Sequence, residues 1–338
     1  MLQSLIDIVT FLLEAAIVVI AILIIAAGLI SIATKSKQKS KLQTQSLNEY
    51  FQQLSKQIHS KTLDKKSFKN LRKSLKKQQK NESDTEKPNI FLIDFTGDIQ
   101  ASAVSSLREM INAILLSANP GDEVVLRLES PGGVVHGYGL AASQLERLKK
   151  AELKLTVTID KVAASGGYLM ACVADRIIAA PFAVVGSIGV LAQIPNFHRF
   201  LKERDIDFEQ IQAGEYKRTL SLFGENTEEN RQKMQQDIEK THELFKQFVT
   251  DKRPQLPIQD VATGEHWFAT DTLDKKLVDD IMTSDDYLLQ HYPQANILHI
   301  SYPKDKTLKD KIKLAAHNSL QAIIYKLKPS YTQDKLNW

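Results

Sequence analysis

Cysteine is nearly absent: Cys172 is the only one in 338 residues. That excludes an internal disulfide framework and any zinc or iron–sulfur site built on thiolates. Also missing are a phosphate-binding glycine loop and any cluster with metal-ligand spacing, so no nucleotide, metal or other cofactor is expected. A G-x-S-x-G nucleophile elbow is absent as well. The eight histidines form no pair with a suitably placed aspartate, and there is no internal repeat. Before residue 35 there is no Lys or Arg at all. With 43% hydrophobic and 25% charged residues the composition is that of a globular protein, which excludes wholesale disorder.

The formal net charge of +4 conceals an uneven distribution. Residues 35–80 hold 14 Lys/Arg against Glu49 and Asp64, a net of +12, whereas residues 1–34 carry −2 and the remaining 258 residues −6. The basic block follows a run of 20 uncharged residues, Ala15 to Thr34, in which only Gly28, Ser31 and Thr34 are not apolar. Twenty helical residues span the ~30 Å hydrocarbon layer. A cleavable signal peptide fits poorly, because the apolar run is too long and no basic residue precedes it. A buried core helix is the other alternative. The expectation is a single transmembrane anchor over residues 1–34, followed by a basic juxtamembrane stalk and linker over 35–88. Leu47, Tyr50, Phe51, Leu54 and Ile58, then Leu63, Phe68, Leu71 and Leu75, recur at near-helical spacing. One or two amphipathic helices near the lipid headgroups are therefore expected, with membrane lipid as a partner. Nothing beyond charge supports a nucleic-acid partner.

After Pro88 strands and helices alternate. Strands are expected at 90–95, 123–130 and 155–160, in RIIAA and in SIGVLAQ. Helices are expected at 100–118, 137–150, Ser165 to about Ala174, and 227–250. This order implies parallel pairing through βαβ crossovers, hence an α/β core. The stretch 257–281 reads as helical with a loop, and 286–338 as a strand (297–302) and a basic amphipathic helix (307–327). Between Arg176 and Arg199 lie 22 residues without formal charge. Pro181, Gly186, Ser187, Gly189 and Pro195 punctuate them, and central parallel strands are themselves almost continuously apolar. A second membrane span is therefore not expected there.

Three glycine-rich loops fall at the carboxyl ends of expected strands, where open α/β sheets place their sites. SPGGVV (Ser130 to Val135) leaves backbone N–H groups unshielded, able to stabilise an oxyanion or simply to turn the chain. In KVAASGGYLMA, Ser165 would stand at a helix N-terminus, either as an open nucleophile or as an ordinary N-cap. VGSIGV (Val185 to Val190) reads alone as a tight turn. A nucleophilic serine needs a base. His136 lies near SPGG, and a lysine serves if burial lowers its pKa from ~10.4 towards ~7. Lys217, in IQAGEYKRTL, is such a candidate. Cys172 reads as a small buried hydrophobe.

SPGG, AASGG 33 residues on, GSIG, and Gly-x-x-Lys ending 52 residues after the serine together resemble the S49 signal-peptide-peptidase family, over about Ile90 to Ile281. The anchor, stalk and single catalytic unit resemble its single-unit members. The resemblance implies a ClpP/crotonase-like fold with a protease domain over 89–285. It also implies a Ser-Lys dyad in which Ser165 is the nucleophile and Lys217 the general base and acid. Ser187 would orient the lysine, and the backbone N–H groups of Gly133 and Gly166 would form the oxyanion hole. A peptide or protein substrate and a homo-oligomer are implied as partners. Crotonase-type acyl-CoA hydratases or isomerases use a similar pair of amides and remain the alternative, with a non-catalytic membrane scaffold as a third reading. The chain is expected in a bacterial inner membrane. The excess of basic residues after the span puts the body on the cytoplasmic side, whereas the family resemblance implies the periplasmic side.

Overall fold

A computed structural model describes residues 42–82 and 87–303. The expected anchor (15–34), the first basic residues of the stalk and the helix expected at 307–327 lie outside the described residues. Leu42–Tyr302 forms one compact unit. Its principal sheet has seven strands in the order β1-β10-β2-β3-β4-β6-β9. These are β1 (Gln43–Ser46), β2 (Asn89–Thr96), β3 (Glu123–Glu129), β4 (Lys154–Ile159), β6 (Arg176–Ala179), β9 (Asp280–Ile281) and β10 (Asn296–Ser301). All neighbours pair in parallel except β1 with β10. The α/β reading is thereby borne out. The central strands are apolar on both faces because both are covered. Phe91, Ile93, Phe95, Leu126 and Leu128 face one core with helices α3 (Val104–Leu115) and α4 (Val135–Lys150), while Ile90, Leu92, Val125 and Ile178 meet Tyr287 and Leu288 of α9 (Ser284–His291) on the other. Glu123 pins that second layer: its carboxylate accepts from the Tyr287 hydroxyl at 2.6 Å and from the Thr156 hydroxyl.

A second, three-stranded sheet carries the loops of interest. It comprises β5 (Val162–Ala164), β7 (Val184–Gly186) and β8 (His266–Phe268). β5 and β7 are parallel, with Ala164 opposite Gly186, and β7 pairs antiparallel with β8. Between β5 and β6 runs the short helix α5 (Gly166–Ala171). The long helix α7 (Glu228–Lys252) follows α6 (His198–Lys202) and precedes α8 (Ile258–Val261).

Several expectations are corrected here. SIGVLAQ is not a strand: β7 is the three residues before it, and 187–197 is irregular. The stretch 257–281 is mostly not helical, since it contains α8, β8, one 3-10 turn and β9. The uncharged residues 177–198 divide among β6, β7, loop and the first residue of α6, in agreement with the reading against a second span. Among the described residues no helix is long and apolar enough to cross a membrane.

The stalk does contain two helices, α1 (Leu47–Thr62) and α2 (Lys65–Glu82). It is not separate from the body, however. β1 extends the sheet, and the side chain of Asn48 donates to the carbonyls of Tyr292 and Ala295 and accepts the Ile297 N–H at 2.7 Å. Phe51 meets the Tyr292 ring edge-on at 5.5 Å.

Candidate active site

Ser165 terminates β5 and immediately precedes α5, which makes it an N-cap by position. Its conformation is not that of a cap. Ser46, Thr227 and Thr283 cap their helices at φ near −75°, and each side chain accepts an N–H from the first turn. Ser165 has φ 52° and ψ −118°, and its side chain makes no capping bond. An L-residue at positive φ costs ~1–3 kcal/mol and persists only where its surroundings enforce it. The enforcement is visible. The Ser165 N–H donates to the Gly186 carbonyl at 2.8 Å, and its own carbonyl accepts from the Leu169 N–H at 2.9 Å. The Ala164 N–H is held by the Ser130 carbonyl at 3.0 Å. The result is a strained strand-to-helix turn with a half-buried serine at its apex. That geometry serves a nucleophile and contributes nothing to a cap.

The register of the small sheet brings the second serine alongside. Since Ala164 faces Gly186, Ser165 and Ser187 both stand one residue past the ends of paired parallel strands. Ser187 is itself at φ 53°, with its N–H on the Glu265 carbonyl at 2.6 Å. Its successor Ile188 is fixed from two sides: the carbonyl accepts the Gly264 N–H at 3.2 Å and lies 3.2 Å from Nε2 of His242 on α7. That contact requires the His242 tautomer with hydrogen on Nε2.

The SPGG loop closes over the same point. Gly132 turns the chain at φ +92°, and a Cβ there would lie 2.8 Å from both the Ala164 carbonyl oxygen and Ser165 Cβ. The loop backbone is thus in contact with the serine turn. Val134 N–H donates to the Ile99 carbonyl at 2.9 Å. Gly133 N–H has no acceptor among the described residues. Gly166 opens α5, so its N–H has no intrahelical partner. The Gly166 N–H thus adjoins the serine in the chain, and the Gly132 turn that precedes Gly133 touches it.

Lys217 is placed differently. It lies in the irregular segment between α6 and α7, exposed, with its backbone N–H on the Gly214 carbonyl at 3.1 Å. Among the described residues no contact joins its ammonium to Ser165 or Ser187. Near it in the chain, Ile211, Tyr216, Leu222 and Phe223 are exposed apolar residues. His136 is exposed in the first turn of α4, and no bond joins it to Ser165 among the described residues. Cys172 is fully buried, and burial pushes its thiol up to about 12, so it is inert as a nucleophile. Among the described residues no group of three His, Cys, Asp or Glu is placed to hold a metal.

Residues 3–145 match the profile "Peptidase family S49 N-terminal" and residues 147–297 match "Peptidase family S49". The chain is 46% identical over 339 residues to "Probable protease SohB" of Haemophilus influenzae, covering 96% of each. It belongs to peptidase family S49. Its likeness within S49 is to SohB-type members: the "Probable protease SohB" of Buchnera aphidicola subsp. Acyrthosiphon pisum is 53% identical over 241 residues, 71% of this chain and 72% of that one. "Protease 4" of Salmonella typhi is 28% identical over 206 residues, 60% of this chain but only 33% of its own length. As an S49 member the chain is a peptidase, and this takes precedence over the acyl-CoA and scaffold readings.

Ser130 and Tyr138 also belong to this site, and the glycine motifs alone do not point to them. Ser130 is fully buried; its hydroxyl lies 2.6 Å from the Tyr138 hydroxyl and accepts the Gly132 N–H at 3.1 Å. The one available signal was the position of Tyr138, eight residues after Ser130 on the buried face of α4.

Proposed function

We propose that the chain is a membrane-anchored serine endopeptidase of ClpP/crotonase-like fold, cleaving peptides or damaged proteins near the bilayer of a bacterial inner membrane. Ser165 attacks the scissile carbonyl, Lys217 takes its proton and returns it to the leaving amine, and Ser187 orients the lysine. The N–H groups of Gly133 and Gly166 receive the developing oxyanion. The observation that carries this reading is the strained, uncapped backbone of Ser165 at the end of β5, in contact with the Gly132 turn. A lysine acts as a base once desolvation favours its neutral form, and Lys217 is exposed in this unit. It must therefore lose water against Ser165, and the apolar residues near it in the chain are suited to being covered by a second copy of the chain. No metal or other cofactor has a role in this reading.

The test is hydrolysis of an internally quenched peptide by the full-length protein in detergent, compared with Ser165→Ala and Lys217→Ala. Both substitutions are expected to abolish turnover, with Ser187→Ala retaining part of it. Full activity in both would overturn the dyad. The basic block after the span orients the body to the cytoplasm. Digestion of the body by protease added outside spheroplasts would reverse that assignment.

A further inference from the structure

Tyr138 is fully buried on α4 and touches both loops that supply the two amides. Its ring occupies the space beside Gly166: a Cβ at residue 166 would stand 2.4 Å from the ring's Cγ. Its hydroxyl reaches the other loop. The phenol donates to the Asp98 carbonyl at 2.9 Å, which uses its only proton. In the 2.6 Å contact with Ser130 the serine must then be the donor. The Ser130 oxygen in turn accepts the Gly132 N–H. A one-way chain results, running from Gly132 N–H through Ser130 and Tyr138 to the Asp98 carbonyl, two residues past the end of β2. Burial raises the Tyr138 phenol above its ordinary value, so it remains a donor throughout the working pH range. With its N–H held on Ser130, Gly132 turns at φ +92°, and the next amide, that of Gly133, has no acceptor among the described residues. Neighbouring residues reinforce the clamp, since the Val134 N–H is held by Ile99, the residue after Asp98.

We propose that Tyr138, acting through Ser130, is the positioning residue of the oxyanion hole, setting the separation of the Gly133 and Gly166 amides without touching substrate. This rests on the serine-peptidase reading above. Its action is confined to the transition state, because only there does the carbonyl oxygen become an anion needing both donors at once. Substrate binding is not expected to depend on it.

The test uses the full-length protein in detergent with Tyr138→Phe, which keeps the ring against Gly166 and removes only the hydroxyl. Ser130→Ala removes the same link by a smaller change and serves where Tyr138→Phe folds poorly. Three quantities are measured: kcat and KM on an internally quenched peptide, the affinity of the matching peptide aldehyde, and the rate of Ser165 labelling by a fluorophosphonate. Ten- to a hundredfold lower kcat is expected, with KM within twofold. The aldehyde, whose adduct carries the oxyanion, weakens by a similar factor, and labelling slows likewise. If kcat, aldehyde affinity and labelling are unchanged in both variants, or if KM alone rises, the proposal is wrong. Failure of the underlying reading looks different: wild-type protein would not be labelled, or Ser165→Ala would remain active, and the proposal would fall with it.

Discussion

The backbone of Ser165 makes a prediction about stability that is independent of catalysis. Ser165→Ala and Ser165→Gly both lack the hydroxyl and both are expected to be inactive, so any difference between them reports on the main chain alone. Alanine must adopt φ 52°, ψ −118°, at a cost of ~1–3 kcal/mol. Glycine relieves that strain, but loses ~0.4–1 kcal/mol through the extra freedom of its unfolded chain. Glycine also outperforms alanine at ordinary N-caps, typically by about half a kcal/mol. The same pair of substitutions at Thr227, a cap with φ −75°, subtracts both of those effects. The Gly-over-Ala advantage at residue 165 is therefore expected to exceed that at 227 by about 1–2 kcal/mol. In thermal unfolding of the full-length protein this is a midpoint difference of roughly 3–6 °C for a unit of this size. Equal differences at the two positions would show that residue 165 stores no strain, and the argument separating this serine from a capping residue would fail.

Two further outcomes test parts of the body away from the serine. Asn48→Ala removes three hydrogen bonds that tie α1 to the start of β10, and is expected to cost ~2 kcal/mol and to raise hydrogen exchange in β10. An unchanged denaturation curve would mean that the stalk is merely appended. Asp94 is pushed upward by burial, yet hydrogen bonds from His299 and Arg127 hold it down to about 2. Its folded value lies below the unfolded one, so its contribution is complete above about pH 4 and disappears as pH falls from 4 towards 2. Partial exposure reduces that contribution to ~1 kcal/mol, so Asp94→Asn should destabilise at pH 7, with the gap to wild type narrowing by pH 3 in urea titrations.

What the sequence disclosed follows the physics of each element. β2, β3 and β4 lie within runs of apolar residues because they are covered on both faces, and their positions agree with the structure to within a residue or two. β1 escaped notice because QTQS is polar and largely exposed. It pairs through its backbone, which leaves no trace in side-chain pattern. β5, β7 and β8 have three residues each, too few for any periodicity, and the first two sit inside glycine-rich loops that mask them. Ser165 and Ser187 stood out in their motifs, and both have a positive φ, in turns crowded enough to admit only small residues. Tyr138 was not, because a buried tyrosine on an amphipathic helix reads as core. The sequence gives Lys217 a spacing, whereas the neutral state the dyad needs depends on what surrounds the lysine.

The pairing of β1 with β10 has a mechanical consequence. Gln43 lies opposite Ser301, so the chain enters and leaves the sheet at the same corner. A pull applied between the residues before Gln43 and those after Ser301 loads that ladder at one end. Such a ladder opens like a zip, rung by rung, instead of resisting as a whole. Its four residue pairs are the first on that line of force, ahead of β2, β3 and the loops that hold Ser165.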